Sequence, residues 1–117
     1  MTCRKNTDFW DALDALLQQS KVVIDRPKGT AHPRYPHVRY PADYGYLAGT
    51  ASMDGDGIDL WRGSAGNERI GAVFCNVELM MRDSEFKLLI GCTKEETERI
   101  YACHTETEYM KGLLIQR

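Results

Sequence analysis

The sequence predicts a single α+β domain, a small antiparallel sheet or barrel with one helix near each end. Three observations carry that expectation. At 117 residues the chain has room for one hydrophobic core and not for two. Two segments space their apolar residues every three or four positions, as amphipathic helices do. Between them lie several short apolar or β-branched runs bounded by turn residues, with no internal repeat or low-complexity tract, so residues 1–117 are expected to form one compact unit.

From Thr7 to Gln19 the apolar residues Phe9, Trp10, Leu13, Leu16 and Leu17 line one helical face, and Thr7 or Asp8 can cap it. Lys21 to Asp25 (KVVID) is a β-branched run stopped by Arg26 and Pro27, a strand entering a turn. Pro27 to Tyr46 holds four prolines and a set of aromatic and imidazole rings without a simple period. This predicts a long irregular segment of the kind that carries binding or catalytic groups. Ile58 to Trp61 begins another strand, and Ser64 to Glu68 is a turn. Ile70 to Met81 and Phe86 to Cys92 are apolar runs around a polar Arg82-Asp83-Ser84-Glu85, the pattern of a β-hairpin. Thr93 followed by Glu96 forms a capping box that opens a helix from Lys94 to about His104, with Ile100 and Tyr101 facing inward. The tail EYMKGLLIQR carries one more apolar run, expected to be packed.

Composition narrows the function classes. Fifteen basic and seventeen acidic residues give a formal charge of -2 and a pI near 5.9, so there is no general electrostatic reason to bind nucleic acid or an anionic membrane. The first twenty residues mix acidic with apolar side chains and have no continuous hydrophobic stretch, reading as neither signal peptide nor membrane span. A cytoplasmic protein is expected. Cys3, Cys75, Cys92 and Cys103 contain no Cys-x-x-Cys pair and are expected to be reduced thiols, with Cys75 and Cys92 as small buried hydrophobes.

The segment Met53-Asp-Gly-Asp-Gly-Ile-Asp-Leu60 concentrates Asp54, Asp56 and Asp59 around two glycines. It reads either as a solvated acidic turn or as a seat for hard divalent cations, because magnesium takes oxygen ligands and needs few carboxylates alongside water and phosphate. A calcium-binding EF-hand is excluded, since its twelfth position, which requires Glu, falls at Ala65. Just upstream, Tyr40 and Tyr44 stand four residues apart. Their phenols suit either core packing or hydrogen bonding to phosphate. Lys28, Arg34, Arg39 and Lys87 surround the region and are either solvated surface charges or phosphate ligands. Carboxylates for magnesium, cations for phosphate and phenols for orientation together form a set that phosphoryl chemistry uses.

These residues fall into blocks. VIDRPKGT (Val23 to Thr30), RYPADYGYL (Arg39 to Leu47), DGDGIDL (Asp54 to Leu60) and FKLLIGC (Phe86 to Cys92), in this order, resemble the soluble family I inorganic pyrophosphatases. That family carries a Y-P-x-x-Y-G-F/Y block ahead of a metal signature whose three aspartates are spaced as Asp54, Asp56 and Asp59 are here. The resemblance implies an OB-like barrel and hydrolysis of pyrophosphate to two phosphates by a water activated between divalent metals, usually magnesium, with manganese as the alternative. It implies Asp54, Asp56 and Asp59 as metal ligands, Asp56 also as the base, Tyr44 near the nucleophile, Tyr40 in the same pocket and Lys87 on a phosphate. Asp25 stands where the family has an acidic residue, and Tyr109 with Lys111 would stand for a late Tyr-Lys phosphate pair.

Two departures bear on the site. Only ten residues separate Gly29 from Tyr40, where family members insert a hairpin with a K-x-E motif and a phosphate-binding Arg. Lys28, Arg34 or Arg39 would have to substitute. The family's second acidic group shrinks to Asp83-Ser-Glu85-Phe-Lys87, whose carboxylates either complete the metal site or belong to a hairpin turn. The resemblance therefore implies a short magnesium-dependent pyrophosphatase. The alternatives are a hydrolase of a larger phosphoanhydride such as a nucleotide, or a non-catalytic module that binds metal and phosphate. The expected partners are a small phosphoanhydride and further copies of the chain, because a shortened barrel leaves apolar surface to bury.

Overall fold

The computed structural model describes residues 6–52 and 55–117, so Cys3 and Asp54 lie outside the described residues. Helix α1 (Asn6–Gln18) starts ahead of Thr7, which places Thr7 and Asp8 in its first turn rather than at its cap. An acidic Asp8 there still complements the helix dipole. Six strands follow: β1 (Lys21–Arg26), β2 (Asp43–Ala48), β3 (Ile58–Arg62), β4 (Ile70–Glu78), β5 (Asp83–Ile90) and, after helix α2 (Lys94–Thr105), β6 (Met110–Gln116). They form one sheet in the order β1-β2-β3-β5-β4-β6. Every pairing is antiparallel except β3 with β5, which run parallel because β5 turns back from β4 and inserts beside β3. No helix among the described residues is long and apolar enough to cross a membrane.

Alternation along the strands divides the core in two. Leu60, Val73, Leu88 and Ile90 point to one face and pack with Trp10 and Leu13 of α1. Trp61, Ala72, Phe74 and Leu89 point to the other and pack with Ile100 of α2 and with Tyr40. The Thr93–Glu96 capping box forms as expected. Thr93 Oγ1 accepts the Glu96 amide at 3.2 Å, and Glu96 Oε1 accepts the Thr93 amide at 2.8 Å. The same carboxylate accepts from the Ser64 amide and hydroxyl, which ties the start of α2 to the end of β3.

Several expectations shift. Asp43 to Tyr46, assigned to the irregular segment, is the start of β2, so Tyr44 and Tyr46 are strand residues. The β4–β5 turn is Leu79-Met80-Met81-Arg82, and Asp83 to Glu85 already belong to β5, because the register pairs Glu78 with Asp83. Leu79, Met80 and Met81 are consequently exposed. Ile100 is buried, whereas Tyr101 is 42% exposed, one helical step too far round to face the sheet. Cys75, Cys92 and Cys103 are free thiols and half-buried rather than fully buried.

Candidate active site

The central group is built by three adjacent strands on the face that carries Trp61. Pairing places Asp59 of β3 directly beside Lys87 of β5, and Tyr44 of β2 opposite Trp61. Lys87 is 3% exposed, a position that a lysine occupies only with partners. Its ammonium donates to Tyr44 Oη at 2.6 Å and to Asp59 Oδ2 at 3.2 Å, and it pairs with Glu85 Oε2 at 2.5 Å. Burial pulls the Lys87 pKa down, but Tyr44 and the two carboxylates outweigh it and hold it above the ordinary lysine value. Burial pushes the Asp59 carboxyl up despite Lys87. It also pushes the Tyr44 phenol up, so Tyr44 keeps its proton near neutral pH and acts as a donor.

Beside this group lies a cavity of about 480 Å³ lined by Asp59, Asp83, Glu85, Ser52 and Arg82, among others. Ser52 and Ile58, both in this lining, flank the acidic turn. Ser52 donates from its amide (2.7 Å) and its hydroxyl (3.1 Å) to the Asp56 carbonyl, closing the turn. Gly55 there has φ +87°, a left-handed conformation that suits glycine. At Gly57 a Cβ would stand 2.8 Å from the Leu47 carbonyl oxygen and 2.9 Å from the Tyr46 ring, so glycine lets the turn press against β2. Asp56 is exposed on this turn.

The donors suit a hard cation. Asp59 and Glu85 converge on one ammonium, and Asp83 lines the same cavity. Asn76, opposite Glu85 on β4, is 2% exposed, and its Oδ1 has no hydrogen-bond partner. The cavity lining itself carries three carboxylates, Asp59, Asp83 and Glu85, beside one guanidinium, Arg82. Among the described residues no three acidic, histidine or cysteine side chains stand close enough to hold a metal ion by themselves. Magnesium needs only one or two carboxylates with water and phosphate, which this donor set can provide.

The remaining sequence candidates are placed differently. Tyr40 is buried, accepts from Arg26 Nη1 at 2.6 Å and packs its ring against Tyr44 and Trp61, the core-packing alternative. Arg39 donates to the Gly29 carbonyl and Arg34 to Met81 Sδ, while the Lys28 amide donates to Asp43. Lys111 Nζ donates to the Thr105 carbonyl. Tyr109 is exposed, and its carbonyl accepts the Leu79 amide at the β4–β5 turn. None of these six lines the cavity. Arg26 and Arg82 were not among the candidates. Arg82 was readable only as part of a polar turn.

Behind the site, Trp61 Nε1 donates to His104 Nε2 at 3.0 Å, and the imidazole stacks on Phe74. Burial, reinforced by Lys87, depresses the His104 pKa to about 3. The unfolded chain therefore takes up this proton below about 6.5 while the folded chain does not, so stability is retained above that pH and lost as pH falls. Between pH 7 and pH 5 this group is expected to remove about 2 kcal/mol. Urea unfolding at both pH values checks it: the loss in wild type should exceed that in His104→Gln by this amount.

No protein-family profile and no curated sequence matches the chain. Solved structures do resemble it. An inorganic pyrophosphatase from Helicobacter pylori is 19% identical, with a TM-score of 0.58 over 83% of this chain and 82% of that one. An inorganic phosphatase from Anaplasma phagocytophilum is 13% identical, with a TM-score of 0.54 over 81% of each chain. At such identities the likeness is one of fold, and the chain has the α+β fold of these proteins.

Proposed function

We propose that the chain is a short magnesium-dependent hydrolase of the family I type that splits inorganic pyrophosphate into two phosphates. The observation that carries this is the Tyr44–Lys87–Asp59–Glu85 cluster beside a carboxylate-lined cavity, in a fold shared with an inorganic pyrophosphatase. Asp54, Asp56, Asp59, Asp83 and Glu85 are the residues that would hold divalent cations. Magnesium held there would neutralise phosphate oxygens and acidify water. Water oxygen forms a bond to one phosphorus, the bridging P–O bond breaks, and the second phosphate leaves. Asp56, exposed on its turn, accepts the proton of the attacking water. Tyr44, held protonated by burial, donates toward the reacting oxygens. Lys87 fixes Asp59 and Glu85 in place, and its charge would turn to phosphate where cations held those carboxylates.

The test is phosphate release from pyrophosphate, tripolyphosphate, a nucleoside triphosphate and a nucleotide sugar, each with magnesium and with chelator. Pyrophosphate is expected to be the fastest substrate, with turnover lost in chelator. Preference for a larger substrate, or metal and phosphate binding without turnover, would contradict the proposal. Self-association belongs to the same reading: β6 is an edge strand that leaves Leu113 and Ile115 exposed.

A further inference from the structure

We infer that Arg82 is a second phosphate-binding cation of this site beside Lys87, taking the role left open by the short segment between Gly29 and Tyr40. The inference rests on the proposed phosphoanhydride chemistry. Three observations point to it. Among the described residues lining the cavity, Arg82 is the basic one, sharing that lining with Asp59, Asp83 and Glu85. Its side chain is exposed and makes no ion pair or hydrogen bond with described residues. It also closes the β4–β5 turn at φ +56°, a conformation that glycine adopts freely and that a side chain with a Cβ resists.

The other cations cannot serve as readily. Lys87, enclosed by Tyr44, Asp59 and Glu85, can meet one phosphate only; Arg39 and Lys111 donate to backbone carbonyls, and Arg34, which donates to Met81 on the same turn, does not line the cavity. A turn optimised for stability alone would place Gly or Asn where Arg82 stands. The guanidinium fork gains what the backbone gives up, since it matches two phosphate oxygens at once. Arg82 in this role binds the phosphate that lies away from Lys87 and favours substrates with a terminal phosphate within reach of the turn.

The experiment compares wild type, Arg82→Gly and Arg82→Lys. Each is assayed for pyrophosphate turnover, and for binding of the non-hydrolysable methylenediphosphonate in magnesium buffer by calorimetry. Arg82→Gly is expected to raise KM and weaken diphosphonate binding by about tenfold to a hundredfold, with a smaller change in kcat. It is expected to melt no lower than wild type, because glycine relieves the left-handed backbone. Arg82→Lys should fall between the two, keeping charge without the fork. Unchanged KM and diphosphonate affinity in Arg82→Gly would make Arg82 a turn residue only and overturn the inference. Absence of wild-type turnover with diphosphonate binding still dependent on Arg82 would instead overturn the hydrolase reading and leave the inference standing.

Discussion

Replacing Asp59 by Asn is expected to reduce pyrophosphate turnover by on the order of 10²–10³-fold or more while leaving the fold nearly as stable as wild type. The two effects separate for a physical reason. Asp59 is a mostly buried carboxylate whose pKa burial already pushes up, so a neutral amide of the same shape removes a desolvation cost along with an ion pair. Lys87 keeps Glu85 and Tyr44 as partners. What the amide loses is negative charge toward a cation, and that loss bears on catalysis. Steady-state kinetics and urea unfolding on the same sample check this. Near-normal turnover in Asp59→Asn would remove the proposed role of the carboxylate.

Lys87→Met is expected to have the larger effect on stability, about 1–3 kcal/mol, because it leaves Asp59 and Glu85, both still reached by solvent, without their shared counter-charge. Met fills most of the same volume, so little of the loss comes from a cavity. The informative measurement is its magnesium dependence. A divalent cation seated between the two carboxylates would replace the missing positive charge, and a ligand that binds the folded state stabilises it by mass action. Magnesium should therefore raise the melting temperature of Lys87→Met more than that of wild type. An equal shift in both proteins would argue that cations bind elsewhere.

Local signals in the sequence carried further than long-range ones. The Thr93–Glu96 cap and most strand runs were legible because they depend on residues a few positions apart. The parallel β3–β5 pairing was not, since nothing within either strand encodes that β5 returns past β4. The hairpin turn was misplaced for a related reason. Leu79-Met80-Met81 reads as strand by hydrophobicity, but pairing of Glu78 with Asp83 forces those residues into the turn and into solvent. At the site, the registers of β2 with β3 and of β3 with β5 set Tyr44, Asp59 and Lys87 side by side, an arrangement that no spacing within one strand encodes. The basic residues were harder to assign, because a lysine or arginine in an irregular segment can reach in any direction. Tyr40 is similar: its phenol meets Arg26, which the sequence pattern passed over.

The proposed hydrolysis requires divalent cations held by the acidic turn and by the β5 carboxylates, which line the 480 Å³ cavity. Anomalous diffraction from crystals soaked in manganese tests it most directly. A manganese peak ligated by Asp59 with Asp54 or Asp56, within reach of Glu85, is expected, with displacement of the Lys87 ammonium from at least one carboxylate. Manganese bound at other sites, with the Asp56 and Asp59 side chains directed apart into solvent, would contradict it.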